Sequence, residues 1–333
     1  MYIYFHLFYM KKIGVLTSGG DAPGMNACIR AIIKTCSKNN IECMGIFEGF
    51  NGLVEGLIAP LTEESTKGIE KMGGTILKTA RSAEFKSKEG RAQAFENLKN
   101  YEIEALVIIG GDGSFKGAHI FAQEYEVPII GIPGTIDNDL FGTDYTLGFD
   151  TAVNNAMQAI DKIMDTAEAH NRLFLIEVMG RDSGHIALNS AVACGADVVF
   201  LPEIAEELKD FFHLLKTRSD EPFSSALIAI VAEGNTEGNA FKIANRVRTL
   251  FPEFDTRVSV LGHLQRGGSP TQRDRVIGAR WGVLAVESLL KKKSGYYTAF
   301  SKGKHVLVQI EKAANNKYAL DKDLLHAVDI LSE

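Results

Sequence analysis

The chain has 333 residues, 45% of them hydrophobic and 23% charged, an ordinary globular balance with length enough for two cores. Its net charge of −6 argues against a nucleic-acid partner, because gripping phosphate backbones needs a clustered basic surface. No apolar run approaches the roughly 20 residues of a membrane-spanning helix.

The opening stretch from Met1 to Tyr9 is hydrophobic but short, without a basic lead or a small-residue cleavage site, so it does not read as a signal peptide. Met10, just before Lys11 and Lys12, reads as the natural start, and residues 1–9 as an extension without function. Ile13 to Thr17 then reads as a strand. The loop Ser18-Gly19-Gly20-Asp21-Ala22-Pro23-Gly24 follows, and a helix runs from Met25 to about Cys36. Three glycines before a helix N-terminus suit either a tight turn or a phosphate held by free backbone N–H groups. Glu42 to Ile46 is a second strand. Cys28, Cys36, Cys43 and Cys194 form no CxxC and no ligand set with histidine, which suits a reduced cytoplasmic protein.

Ala105 to Ile109 is a fully apolar run ending in Gly110-Gly111-Asp112-Gly113-Ser114, and Ser114 to Tyr125 has the length and spacing of a crossover helix. Val127 to Ile132 is the next strand, ending in Pro133-Gly134-Thr135-Ile136-Asp137-Asn138-Asp139. Two parallel strands joined by one helix point their carboxyl ends to the same sheet edge, so both aspartate loops are expected over one crevice. Asp112 either caps the helix behind it or holds Mg²⁺, a hard cation that prefers oxygen. Asp137 and Asp139 either close an Asx-rich turn or do chemistry, with Asp137 taking the proton of an attacking hydroxyl and Asp139 beside it. The combination suits phosphoryl transfer.

A helix from about Thr151 to Ala167 leads to the strand Leu173 to Met179 and the loop Gly180-Arg181-Asp182-Ser183-Gly184, after which His185 to Ala193 reads as helix. Ala226 to Val231 is a strand ending at Glu233, and Arg257 to Leu264 a strand ending in Gln265-Arg266-Gly267-Gly268. Ile277 to Leu290 reads as a helix whose C-terminus carries Lys291 to Lys293. Arg81, Arg172, Arg181, Arg257 and Arg266 lie at or near strand ends. With His263 and Glu233 they offer a receptor for a phosphate ester. The alternation predicts an α/β fold with doubly wound, mostly parallel sheets and a boundary near Gly148. There is no GxGxxG, so a dinucleotide oxidoreductase is excluded, and no GxxxxGK[ST], so any nucleotide site lacks a Walker lysine.

LTSGGDAPGMNA from Leu16, IGGDGS from Ile109, PGTIDND from Pro133, EVMGR from Glu177 and VLGHLQRGGSP from Val260 together resemble the ATP-dependent 6-phosphofructokinases of the bacterial type, over Lys12 to about Leu290. The resemblance implies two doubly wound Rossmann-like domains with an active-site cleft between them. The larger, ATP-binding one would comprise 10–147 plus about 264–314. The smaller, fructose 6-phosphate-binding one would comprise about 148–263 plus 315–333. It implies transfer of the ATP γ-phosphate to the 1-hydroxyl of fructose 6-phosphate, with Mg²⁺ at Asp112 and Asp137 as general base. Thr135 and Asp139 would lie beside that base, and Arg181 would stabilise the transition state. Gly20, Arg81, Ser82, Gly111, Gly113 and Ser114 match the ATP site. Ile136, Met179, Gly180, Glu233, His263, Leu264, Gln265 and Arg266 match the sugar-phosphate pocket. Arg172 and Arg257 match arginines that reach it from a neighbouring subunit, implying a cytoplasmic homotetramer with shared active sites.

Two further expectations come from departures within that family. Pyrophosphate-using relatives carry an aspartate where this chain has Gly113 and a lysine where it has Gly134, which predicts ATP as the donor. Intact Asp112, Asp137, Asp139 and Arg181 argue against a regulatory subunit that has lost catalysis, and the GHLQRGG and MGR segments against related kinases of NAD or lipids. At the effector position Arg30 is kept, Lys34 stands in for another arginine, and Asp197 occupies the acidic position. Leu57 and Met164 stand where arginines are expected, and Pro222 to Ala226 where a Lys/His-rich stretch is. Each charge-assisted bond lost removes roughly 1.5–3 kcal/mol, so ADP activation and phosphoenolpyruvate inhibition are expected to be weak or absent.

Overall fold

The computed structural model describes residues 10–169, 172–204, 207–219, 226–315 and 318–331, so residues 1–9 and most of the Pro222–Ala226 segment lie outside the described residues. The chain forms two compact units, one of residues 1–135, 140–148 and 268–317, the other of 136–139, 149–267 and 318–333.

The first unit begins with β1 (Lys12–Thr17), α1 (Met25–Lys38), β2 (Glu42–Ile46), α2 (Gly49–Glu55), β3 (Ile58–Leu61), α3 (Lys88–Asn100) and β4 (Ala105–Gly110). It continues through α4 (Asp112–Tyr125), β5 (Ile129–Thr135) and the short β6 (Leu147–Gly148). The chain then builds the second unit from α5 (Phe149–Glu168), β7 (Leu173–Val178), α6 (His185–Cys194), β8 (Val198–Phe200) and α7 (Glu207–Ser219). β9 (Leu227–Ala232), α8 (Ala240–Leu250) and β10 (Thr256–Val260) complete its sheet. α9 (Gln272–Leu290), β11 (Tyr296–Ser301), β12 (Lys304–Gln309) and α10 (Ile310–Asn315) return to the first unit, and α11 (Lys322–Leu331) ends in the second.

The first sheet has the order β12-β11-β5-β4-β1-β2-β3, with β6 paired to β5. Its centre is parallel, and only β3 and β12, at the two edges, run antiparallel to their neighbours. Strands covered on both faces read as continuous apolar runs. β4 fits that rule, since all of Ala105–Gly110 is buried. α1 buries Met25, Ile29, Ile32, Ile33 and Cys36, the spacing of one helical face. It packs on α9 closely enough that a Cβ at Gly282 would lie 2.7 Å from Cys28 O. Because carbons rarely pack nearer than about 3.5 Å, only glycine fits this crossing.

The second sheet, β10-β7-β9-β8, is parallel throughout. Its core joins Leu173, Leu175, Phe200, Phe211, Leu227, Val231, Ile243 and Val247. The strand expected to run from Arg257 to Leu264 stops at Val260, and Gly262–Arg266 forms a 3-10 turn instead. Leu261 N still donates to Glu177 O at 3.0 Å, but Gly262 then takes φ 51°, which breaks the ladder. Ile136–Asp139 and residues 264–267 group with the second unit. The reason lies in their partners: Asp137 O and Asp139 O accept bonds from Ser183 and Tyr318, both in the second unit. No helix among the described residues is long and apolar enough to cross a membrane.

Candidate active site

In the first unit, parallel pairing sends the carboxyl ends of β1, β4 and β5 to one edge, and with them three of the sequence-predicted loops. β1 runs into Ser18–Gly24, where Gly20 is half-buried and Gly19 and Gly24 take φ 89° and 96°. Ser18 N donates to Ile109 O at 2.9 Å, tying this loop to the end of β4. A Cβ at Gly110 would lie 2.6 Å from Ser18 O, so the two strand ends meet only because this residue is glycine.

α4 begins at Asp112 with Gly111 as its N-cap and no side-chain cap. Its first-turn N–H groups therefore carry the partial positive charge that attracts phosphate. Of the two sequence readings of Asp112, capping is not what the side chain does. Its Oδ2 accepts from Lys116 Nζ at 2.7 Å, one turn along the helix. Its Oδ1 is shielded and has no hydrogen-bond partner among the described residues. An orphaned carboxylate oxygen beside an uncapped helix end fits a hard cation that takes most of its ligands from phosphate and water. Among the described residues no cluster of three or more His, Cys, Asp or Glu side chains forms a ready-made metal cage.

Two glycines that matter for the donor differ in their surroundings. A Cβ at Gly134 would fall 2.9 Å from both Ile109 Cγ2 and Met25 Cε, so packing accounts for this glycine. A Cβ at Gly113 would meet nothing within 4 Å. Glycine inside a helix costs roughly 0.5–1 kcal/mol relative to alanine, and nothing in the packing of α4 requires it here. Ser114 is buried close by, and Gly111 sits beside Thr135, whose Cβ would be 3.6 Å from a Cβ at 111. Arg81 is exposed, and Ser82 Oγ accepts from Phe85 N at 3.1 Å.

In the second unit β7, β9 and β10 carry Met179–Arg181, Glu233 and His263–Arg266 at their carboxyl ends, again on one edge. Asp137 is 5% exposed, and Arg181 Nε stands 3.7 Å from its Oδ2. Burial raises the Asp137 pKa above the ordinary 3.8, and Asp139 and Glu233 add to this while Arg181 and Arg266 oppose it. Arg181 has φ 53°, a left-handed backbone unusual for a side chain of its size. Two features hold it there. Its N–H donates to Glu233 Oε1 at 2.7 Å, and Gly234 packs so tightly below that a Cβ would lie 2.0 Å from Arg181 O.

Gln265 is wholly buried, accepting from Met179 N at 3.3 Å and donating to Gly262 O at 3.1 Å. It braces the two loops against each other, while His263 and Leu264 are exposed and Arg266 is 9% exposed. Asn155 of α5 donates to Gln265 O and Gly267 O, at 3.3 and 2.9 Å, and fixes the same turn. Asn155, Gly234 and Ser183, which donates to Asp137 O at 2.8 Å, were not singled out by sequence. Ser183 and Gly234 adjoin motif residues. Asn155 sits in an otherwise unmarked helix.

Arg172 and Arg257 are not at this edge. They lie at the amino ends of β7 and β10, Arg172 roughly 20 Å from the end of β7 and Arg257 about 10 Å from the end of β10 at ~3.3 Å per residue. Both pair with Asp255, whose Oδ2 is 2.7 Å from Arg172 Nε and whose Oδ1 is 3.0 Å from Arg257 Nε. These bonds, Arg172 first, hold the Asp255 pKa down. At the expected effector positions Arg30 donates to Glu63 O and, at 3.0 Å, to Thr66 Oγ1. Lys34 and Leu57 are exposed and Met164 is half-buried. Asp197 accepts from Ile228 N at 2.8 Å, joining β8 to β9.

The phosphofructokinase family model matches residues 12–289. ATP-dependent 6-phosphofructokinase 2 of Bacteroides thetaiotaomicron is 47% identical over 323 residues, spanning 97% of this chain and 99% of the relative. ATP-dependent 6-phosphofructokinase 1 of Thermus thermophilus is 45% identical over 323 residues, spanning 97% and 100%. The solved phosphofructokinase of Saccharomyces cerevisiae superposes with a TM-score of 0.85 at 33% identity, covering 97% of this chain and 47% of the yeast chain, so the chain spans about half the length of that structure. The fold alone is shared with a pyrophosphate-dependent phosphofructokinase from Marinobacter aquaeolei, at a TM-score of 0.82 and 21% identity.

Proposed function

The chain belongs to the phosphofructokinase family, and we propose that it is an ATP-dependent 6-phosphofructokinase acting in the cytoplasm, which transfers the γ-phosphoryl group of ATP to the 1-hydroxyl of fructose 6-phosphate. The observation that carries this reading is the Asp137 carboxylate, buried at a strand end with Arg181 beside it. In phosphoryl transfer the protein mainly positions the reactants and neutralises charge.

The first unit is the ATP-binding part. Gly20, Gly111, Gly113 and Ser114 line the backbone that takes the phosphates at the α4 N-terminus, with Arg81 and Ser82 beside the nucleotide. Asp112, through Oδ1, would hold Mg²⁺, which when bound would neutralise phosphate charge. The second unit is the sugar-phosphate part. Asp137 accepts the proton of the 1-hydroxyl, Asp139 and Thr135 stand along the chain on either side of it, and Arg181 takes up developing negative charge. Ile136, Met179, Gly180, Glu233, His263, Leu264 and Arg266 surround the sugar phosphate. Gln265 holds two of these loops in register. Arg172 and Arg257 serve the sugar phosphate of a neighbouring copy, which makes the working enzyme a homotetramer with shared sites.

The donor is tested by measuring fructose 1,6-bisphosphate formation with MgATP and with magnesium pyrophosphate. Turnover with ATP alone is the expected result, and turnover with pyrophosphate alone would overturn the donor. Gly113→Asp sharpens the test. With open space at this position the variant should melt at least as high as the parent, since a helical glycine is removed and an acid is added near the N-terminus. Its kcat/KM for ATP should nonetheless fall at least about tenfold, because like charges facing each other cost several kcal/mol.

Regulation by anionic effectors is weak or absent. Arg30 is already engaged by Glu63 O and Thr66, and exposed Leu57 offers no charge. Fructose 6-phosphate saturation should stay hyperbolic in the presence of phosphoenolpyruvate. A sigmoidal curve relieved by ADP would refute this.

A further inference from the structure

The turn that presents Asp137 and Asp139 is held by bonds from elsewhere in the second unit. Asn138 between them has φ 51°, and the two carboxylates repel, which is part of why the Asp137 pKa is raised. Asparagine tolerates this left-handed conformation, so the turn's orientation is set by what its carbonyls bond to. The surroundings supply two fasteners on the carbonyls flanking Asn138. Ser183 Oγ donates to Asp137 O at 2.8 Å, and Tyr318 N donates to Asp139 O at 3.0 Å.

The two fasteners are themselves joined through His185. The Tyr318 ring stacks on the His185 ring, with centroids 5.3 Å apart and planes 19° from parallel. The imidazole also hydrogen-bonds the Tyr318 backbone. Phe149 closes on the imidazole edge-on at 6.4 Å, and His185 is 3% exposed. His185 N in turn reaches Ser183 Oγ at 3.5 Å. A closed circuit results: Asp137 O, Ser183, His185, Tyr318, Asp139 O. Three residues after Tyr318, Asp321 caps α11 by accepting from Asp323 N at 2.8 Å, and α11 packs on α6, the helix that His185 begins. The C-terminal segment is thereby anchored to the same helix.

We propose that Tyr318, stacked on His185, is a positioning residue for the Asp137–Asp139 turn, and that with Ser183 it makes the C-terminal segment part of the catalytic apparatus. The inference rests on the reading of Asp137 as general base. Tyr318 and His185 act on the turn through Asp139 O and Ser183. Their effect is on the orientation of the base, so it belongs in kcat and not in the binding of nucleotide by the first unit. Misplacement of a reacting group by about 1 Å costs on the order of 10²-fold in rate.

The test uses the full chain and compares the parent with Tyr318→Ala, Tyr318→Phe and Asp137→Asn in the forward assay, alongside thermal melts. Tyr318→Ala should lower kcat at least about tenfold, with the KM for MgATP within about twofold of the parent. Tyr318→Phe, which keeps the stacked ring, should restore kcat. A parent-like kcat in Tyr318→Ala overturns the proposal. So does equal loss in the Ala and Phe variants, which would assign the effect to the hydroxyl, or a loss of kcat matched by a rise in ATP KM and a broad fall in melting temperature. Asp137→Asn separates the two levels. Parent-like turnover in that variant refutes the general-base reading itself, whatever Tyr318 does.

Discussion

Asp137→Asn should abolish most turnover and, at neutral pH, raise the melting temperature. The first effect follows from removing the proposed proton acceptor, and general-base assistance is worth about 10²- to 10⁴-fold in kcat. The second follows from the direction of the pKa shift. The folded state raises the Asp137 pKa, with burial as the largest cause, so it holds the proton more tightly than the unfolded chain does. The stability linked to that proton is fully present below the ordinary value of 3.8 and is lost as pH rises through the folded value. At neutral pH the parent therefore keeps an ionised carboxylate that the fold disfavours, and a neutral asparagine of the same shape relieves it. Because the shift persists in the free enzyme, the acid limb of kcat/KM for fructose 6-phosphate should lie above the usual aspartate range. Unchanged kcat would remove Asp137 from the chemistry. A lower melting temperature would mean that Arg181 and Arg266 stabilise the carboxylate more than burial penalises it.

That opposition between stability and activity is the physical mark of a site, and it bears on what was legible in the sequence. The parallel strands could be read because strands buried on both faces become short apolar runs, as in Ala105–Gly110 and Leu227–Ala232, both buried throughout. The edge hairpin β11–β12 escaped that reading because β12 is only partly buried and its pattern is mixed. α3 escaped because Lys88–Asn100 is mostly polar, held instead by Ser87 as its N-cap and by an ion pair in which Nε of the buried Arg91 reaches Oε2 of the exposed Glu124 at 2.5 Å. The end of β10 was misread because nothing in Leu261-Gly262-His263 announces that Gly262 turns left-handed.

The site divides the same way. Its loops were legible because glycine and aspartate at parallel strand ends have few purely structural explanations. Their supports were not, because Ser183 and Tyr318 act on backbone carbonyls far away in sequence, which no pattern in the chain records. Nor could the sequence distinguish Gly134, closely packed by Met25 and Ile109, from Gly113, which faces open space. Arg172 and Arg257 show the limit of counting arginines near strand ends. They flank strands, but at the amino edge, with Asp255 between them.

Gly234→Ala should cost on the order of 10²-fold in kcat through one methyl group. The added Cβ would stand 2.0 Å from Arg181 O, 2.8 Å from Arg181 C and 3.2 Å from Asp182 Cα. All three are backbone atoms, so no side chain can swing aside. The Gly180–Ser183 turn must move by more than 1 Å to reach ordinary contact distance, about 3.5 Å between heavy atoms. Arg181 moves with it, as does the bond from its N–H to Glu233 Oε1, because Glu233 is the residue just before the substitution. The loss should fall on kcat and on the KM for fructose 6-phosphate, while the KM for MgATP, set by the first unit, stays near the parent value. Gly180→Ala provides the matched control. At φ 143° and with Ser183 O 2.4 Å from its would-be Cβ, it distorts the same turn from the other side and should give the same kinetic signature. If both variants turned over like the parent, a strained Arg181 backbone would not be what aligns the guanidinium with Asp137. The left-handed conformation at 181 would then be a feature of the loop alone.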